Sequence, residues 1–216
     1  KAKETIEEIE DQELAQIAWA EYYFFSAKAK ECVEIVEKYL NHEDVILRLS
    51  ADMLYTFSNL TLGDAFAAQY AREDVYRCFE KIMKENTSIE EKASCVFAYY
   101  VISIFIHIPP QEEIPPLEQY ISYLPIGQRL LAISLLAHQT YLKQEYAKAK
   151  GIVQGAFFMA DGIYPIAMTY LNCVQAMCQI NLKEQEEAIQ SVDYAWQRAK
   201  LDGFMEPFIE YHGLLQ

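Results

Sequence analysis

Two stretches decide the fold: Ala137-His138-Gln139-Thr140-Tyr141-Leu142-Lys143-Gln144-Glu145-Tyr146-Ala147-Lys148-Ala149 and Ala176-Met177-Cys178-Gln179-Ile180-Asn181-Leu182-Lys183-Glu184-Gln185-Glu186-Glu187-Ala188. Alanine opens and closes each, and a further alanine follows at Ala156 and Ala195, so spacings of 12 and 7 recur with a displacement of 39 residues. Val153 matches Val192 and Phe157 matches Trp196 in the same register. A period of this size, over segments whose apolar residues recur at three and four, is the mark of stacked helical hairpins. Small residues are required where the two helices of a hairpin cross, because a larger side chain would hold the backbones apart.

Working outward, the same helical periodicity predicts helices near 4–24, 27–40, 43–60, 64–85, 88–107, 112–123, 126–143, 145–160, 164–181 and 183–201, with a last short one after Pro207. Breaker residues separate them: Asn41-His42, Gly63-Asp64, Asn86-Thr87-Ser88, Pro109-Pro110, Pro125, Asp161-Gly162 and Asp202-Gly203. Ser88-Ile89-Glu90-Glu91 reads as a capping box. The repeat fades upstream. Ala27-Lys28-Ala29-Lys30 recurs as Ala147-Lys148-Ala149-Lys150, and the pairs Ala29/Val33, Ala71/Val75 and Leu117/Ile121 are expected to open the second helix of three earlier hairpins. The fold expected is all-α, a right-handed superhelix of about five hairpins in one domain over 1–216, clearest at 125–161 and 164–202.

Composition narrows the function. Hydrophobic residues make up 52% of the 216, while Gly and Pro number only 7 each, which favours helices over a sandwich or barrel. Acidic residues outnumber basic ones 32 to 18, for a net charge of -14, so the chain repels phosphate backbones and no direct nucleic-acid binding is expected. The five cysteines, Cys32, Cys78, Cys95, Cys173 and Cys178, lack CxxC spacing and sit among apolar residues, pointing to reduced thiols in a cytoplasmic protein. The uncharged run from Ala93 to Ile108 stops at Pro109-Pro110, short of the ~20 residues that span hydrocarbon. A buried helix is expected there, and no membrane partner. With Lys1-Ala2-Lys3-Glu4 at its start the sequence reads as a piece of a longer protein.

Catalytic patterns are missing from the sequence: it has no GxxxxGK[ST], GxGxxG, GxSxG or HExxH. His42, His107, His138 and His212 are scattered singly and read as caps or core groups. Glu112-Glu113 and Glu186-Glu187 complement helix N-termini. Gly151 and Gly155 are expected to serve close helix packing, and Tyr22-Tyr23-Phe24-Phe25 to pack on a neighbouring helix. Cys173 and Cys178, five apart, point to different sides of a helix. The expectation is a protein that is not an enzyme and needs no cofactor and no metal.

The small-residue pattern over 125–202 resembles the tetratricopeptide repeat, with a longer period. Longer helices of this kind, followed by Ala199-Lys200-Leu201-Asp202-Gly203-Phe204-Met205-Glu206-Pro207-Phe208-Ile209-Glu210, resemble the superhelical sensor region of large ATP-dependent LuxR-type transcriptional activators of the maltose-activator group. That resemblance implies a signal-sensing and protein-interaction role beside an ATPase and a helix-turn-helix, neither of which lies in these 216 residues. A free-standing scaffold or co-chaperone module is the rival within the repeat class, and an unrecognised enzyme the rival outside it. The alanine register turns Leu131, Ser134, His138, Tyr141, Tyr170, Cys173 and Met177 toward a concave face, the expected seat of a peptide, protein partner or small inducer. Lys, Asn and Arg clamps for a carboxylate are absent from those positions, and the outer face or a contact with a second copy is the other seat considered.

Overall fold

The computed structural model describes residues 1–85, 87–105, 113–160, 164–211, 213 and 215. Their regular structure is entirely helical, with eleven α-helices, three short 3-10 turns and no strand among the described residues. Asn86, His107, Pro109-Pro110, Glu112, Asp161-Gly162 and His212 lie outside them. Two compact units result, Lys1–Leu124 and Pro125–Gln216.

The first unit holds α1 (Ala2–Glu7), α2 (Gln12–Phe25), α3 (Ala29–Val36), α4 (Val45–Leu62), α5 (Ala65–Lys84) and α6 (Ile89–Phe105). The single helix expected over 4–24 is two, because Asp11 accepts from the backbone N–H groups of Glu13 and Leu14 and so starts a new helix. Successive helices pack against each other from α1 to α6, and α4 also touches α2 and α6. Phe24 of the aromatic run meets Phe57 of α4 at 5.8 Å within a core that includes Ile17, Cys32, Val36 and Leu54. Helix α6 is buried along most of its length, as expected of a core helix, and opens on the capping box: Ser88 N–H donates to Glu91 Oε2 and Glu91 N–H to Ser88 Oγ. No helix among the described residues is long and apolar enough to cross a membrane.

The helix expected over 112–123 does not form in the part described. Pro115-Pro116 bias the preceding residues away from helical angles and supply no N–H, and only two 3-10 turns follow, Leu117–Gln119 and Ile121–Tyr123. Leu117 and Ile121 therefore do not open a hairpin helix.

The second unit holds α7 (Ile126–Leu142), α8 (Tyr146–Ala160), α9 (Pro165–Asn181), α10 (Gln185–Ala199) and α11 (Glu206–Tyr211). Helix α9 is central to it and packs against all four of the others: α7, α8 and α10 along their faces, and α11 near the end of the chain. Ala137, Ala149, Ala156, Ala176, Ala188 and Ala195 are all buried, as the 12-and-7 register requires. Gly151 and Gly155 are not used for close packing. Both are exposed, and a Cβ on either would touch nothing within 4 Å.

One turn recurs in four hairpins. A left-handed residue, Ala27 (φ 58°), Gly63 (φ 88°), Gln144 (φ 64°) or Lys183 (φ 65°), follows α2, α4, α7 or α9. The next residue's N–H returns to a carbonyl five back: Lys28 to Tyr23, Asp64 to Asn59, Glu145 to Thr140 and Glu184 to Gln179. Five residues past each left-handed position stands a small buried side chain, namely Cys32, Ala68, Ala149 or Ala188. The structural counterpart of Ala149 in the first hairpin is thus Cys32, three residues on from the Ala29 that sequence matching suggests. Likewise Val36, fully buried, takes the place expected of Val33, which is only half-buried.

Candidate functional site

The face expected to bind lies on α7 and α9, and it is covered by the chain's own last helix. Ser134, His138, Tyr141, Tyr170, Cys173 and Met177 are buried, and Leu131 is half-buried. They do not all serve one site. Ser134 Oγ donates to the Leu131 carbonyl at 2.7 Å, a bond spent within α7. Tyr141 Oη accepts from Asn181 Nδ2 at 3.0 Å, tying α7 to the end of α9, and Met177 is a core residue with no exposed surface.

His138, Tyr170 and Cys173 are the three that converge on α11. After α10 the chain turns at Gly203, whose φ of 75° suits a residue without a Cβ, and the Phe204 N–H bonds back to the Ala199 carbonyl at 3.0 Å. Phe204, Glu206, Pro207 and Tyr211 are buried by that return. Tyr170 Oη donates to Glu210 Oε2 at 2.5 Å. The Tyr211 ring stands edge-on to His138 at 5.1 Å and to Tyr170 at 5.9 Å, the arrangement that sets a positive ring edge against a negative face. Phe208 meets Trp196 of α10 in the same way at 5.9 Å.

Electrostatics mark this contact. Burial pushes the Glu210 carboxyl up to about 8; the Tyr170 hydrogen bond opposes the rise and the neighbouring Glu206 charge adds to it. Burial also raises the Tyr170 and Tyr211 phenols well above their ordinary value, with Glu210 adding to both. The Cys173 thiol is pushed up to about 12, by burial first and by Glu210 second, which removes the thiolate a nucleophile would need. What the face can do is hold a helix through one phenol–carboxyl bond and a pair of ring contacts. Glu206, Glu210 and Tyr211 were not among the residues expected from sequence; an acidic and aromatic turn after a glycine was their only signal.

A second concavity, of about 330 Å³, opens on the opposite side of α9, between α8 and α10. Its floor is polar: Ser191 Oγ accepts from Gln175 Nε2 at 3.2 Å and donates to Gln179 Oε1 at 2.8 Å. Phe157, Tyr194 and Arg198 stand around it.

Elsewhere His42 accepts the Asp44 N–H at Nδ1 and lies 3.3 Å from Glu13, the capping role expected of it. The five cysteines are free thiols, all buried. Among the described residues no three His, Cys, Asp or Glu side chains are arranged to hold a metal ion. Compared with known proteins, the chain matches no family model, no curated protein and no solved structure.

Proposed function

We propose that this chain is a non-catalytic recognition module built of tetratricopeptide-like helical hairpins, the signal-sensing part of a LuxR-type transcriptional regulator. Its seat for a peptide, protein partner or small inducer is the face of α7 and α9 around His138 and Tyr170. The observation that carries this reading is the docking of α11: a surface that already holds a helix by a half-buried phenol–carboxyl bond and two edge-on ring contacts is suited to holding a ligand. The regulator assignment rests on the alanine register and on the glycine and aromatic residues from Ala199 to Glu210.

Fluorescence titration with candidate inducers and partner peptides tests the seat. Binding should weaken at least tenfold in Tyr170→Ala and in His138→Ala, and binding that neither change affects moves the site elsewhere, the amide-floored cleft beside α10 being the next place to look. The gene's reading frame tests the context. A phosphate-binding loop upstream and a helix-turn-helix downstream support the regulator, whereas a stop codon soon after Gln216 leaves a free-standing scaffold.

A further inference from the structure

The side chains that hold α11 specify what else the face would hold. Helix α11 has six residues, too few to persist in water by itself, so its helical form depends on being docked. Two of its neighbouring residues make the specific contacts. Glu210 supplies an acceptor to the Tyr170 hydroxyl, and Tyr211 inserts a ring between His138 and Tyr170. Phe208, one turn back, supports them against Trp196. The pair is an acceptor followed at once by an aromatic residue.

The acceptor in α11 is not the best one for this place. Around Glu210 stand Tyr170 and Cys173 from α9 and Glu206 and Tyr211 from α11 itself, with His138 of α7 against the Tyr211 ring. A carboxylate there sits beside a second acidic group and under aromatic cover. An uncharged acceptor such as a glutamine carbonyl would take the Tyr170 hydrogen bond with no charge to desolvate.

Resting on the recognition reading above, we propose that the face of α7 and α9 binds a short helix of a partner protein in which an uncharged hydrogen-bond acceptor is directly followed by an aromatic residue, and that α11 is the internal competitor for that seat. Binding then requires α11 to swing away about Gly203. Because the carboxyl of Glu210 is raised to about 8 from 4.5, the docked form binds the proton more tightly than the released form. Docking is therefore favoured at low pH and weakens as the pH rises through 8, by about tenfold between pH 7 and pH 9.

The test uses the full chain carrying Trp19→Phe, which leaves Trp196, the neighbour of Phe208, as the only tryptophan. Two probes are titrated, stapled helical peptides copying Phe204 to Tyr211 with glutamine at both acidic positions and Phe208→Ala, so that neither restores the ring on Trp196, one ending Gln-Tyr and the other Gln-Ala. The Gln-Tyr peptide should shift Trp196 emission to the red and bind about tenfold more tightly at pH 9 than at pH 7, and should fail in Tyr170→Ala. A Gln-Ala peptide that binds as well, or a Gln-Tyr peptide that fails even in a Tyr211→Ala chain whose seat has been loosened, overturns the proposal. Glu210→Gln in the chain itself should abolish the pH dependence, and far-UV circular dichroism that stays constant over the range separates release of α11 from unfolding. If a small inducer binds in a Tyr170-dependent manner while neither peptide does, the recognition module stands and the acceptor–aromatic partner falls.

Discussion

Asp52, on α4 one turn past Arg48, is 1% exposed, and its acidic neighbour is Asp74 of α5. Burial raises its carboxyl to about 8, with the Asp74 charge adding to the rise. Burial pushes Asp74 the same way, yet two guanidinium groups outweigh it: Arg48 bonds one carboxylate oxygen at 2.5 and 2.8 Å, Arg77 reaches the other at 2.8 Å, and Asp74 stays ionised below its usual range. Asp52 is thus the neutral member of the pair. Its folded value exceeds its unfolded one, so the stability it confers is complete below pH 4 and is lost as the pH climbs to 8. Asn carries no charge beside Asp74 at any pH. Asp52→Asn should therefore be close to neutral at pH 4 and stabilising at pH 8, by on the order of a few kcal/mol, measured by urea melts at the two pH values; a difference that stays flat with pH contradicts a neutral Asp52.

At the scale of elements, the turn shared by four hairpins invites two substitutions. A left-handed side chain costs ~1–2 kcal/mol over glycine, part of which glycine loses again in the unfolded chain. Gln144→Gly and Lys183→Gly should each stabilise the second unit by ~0.5–1 kcal/mol, whereas the usual reading of glycine as a weak residue predicts the opposite sign. On α8 the logic reverses: Gly151→Ala and Gly155→Ala fill open space on a helix and should each add ~0.5–1 kcal/mol in thermal melts. Ala149→Leu and Ala188→Leu should overpack crossings and cost ~1–3 kcal/mol, and melts that match the parent refute the register. These sites also explain what was legible. The crossings were, because only small side chains fit there and their spacing survives in the letters. The turns were not, because glycine fills just one of the four left-handed positions and Ala27, Gln144 and Lys183 look like ordinary helix residues. Without the turns as a ruler, the match of Ala27-Lys28-Ala29-Lys30 to Ala147-Lys148-Ala149-Lys150 put the first hairpin out of register, and the periodicity near Leu117 concealed what Pro115-Pro116 forbid.

For the whole molecule, an excess of 14 negative charges opposes compaction through self-repulsion that salt screens. Raising NaCl from about 10 mM to about 200 mM should raise the melting temperature by a few degrees, and a lower one would mean that specific ion pairs outweigh the net charge. The candidate face was legible in outline, since the alanine register placed His138, Tyr170 and Cys173 on it, but helix spacing carries no sign of what lies on top. Only the backbone reversal at Gly203 brings Glu210 and Tyr211 there. The five buried thiols give the molecule a built-in clock. Cys32, Cys78 and Cys95 lie in the first unit, Cys173 and Cys178 in the second, and an alkylating reagent reaches each only when the helices over it part. Mass spectrometry of the native protein during alkylation would time the breathing of each unit separately, with no label introduced and no residue changed.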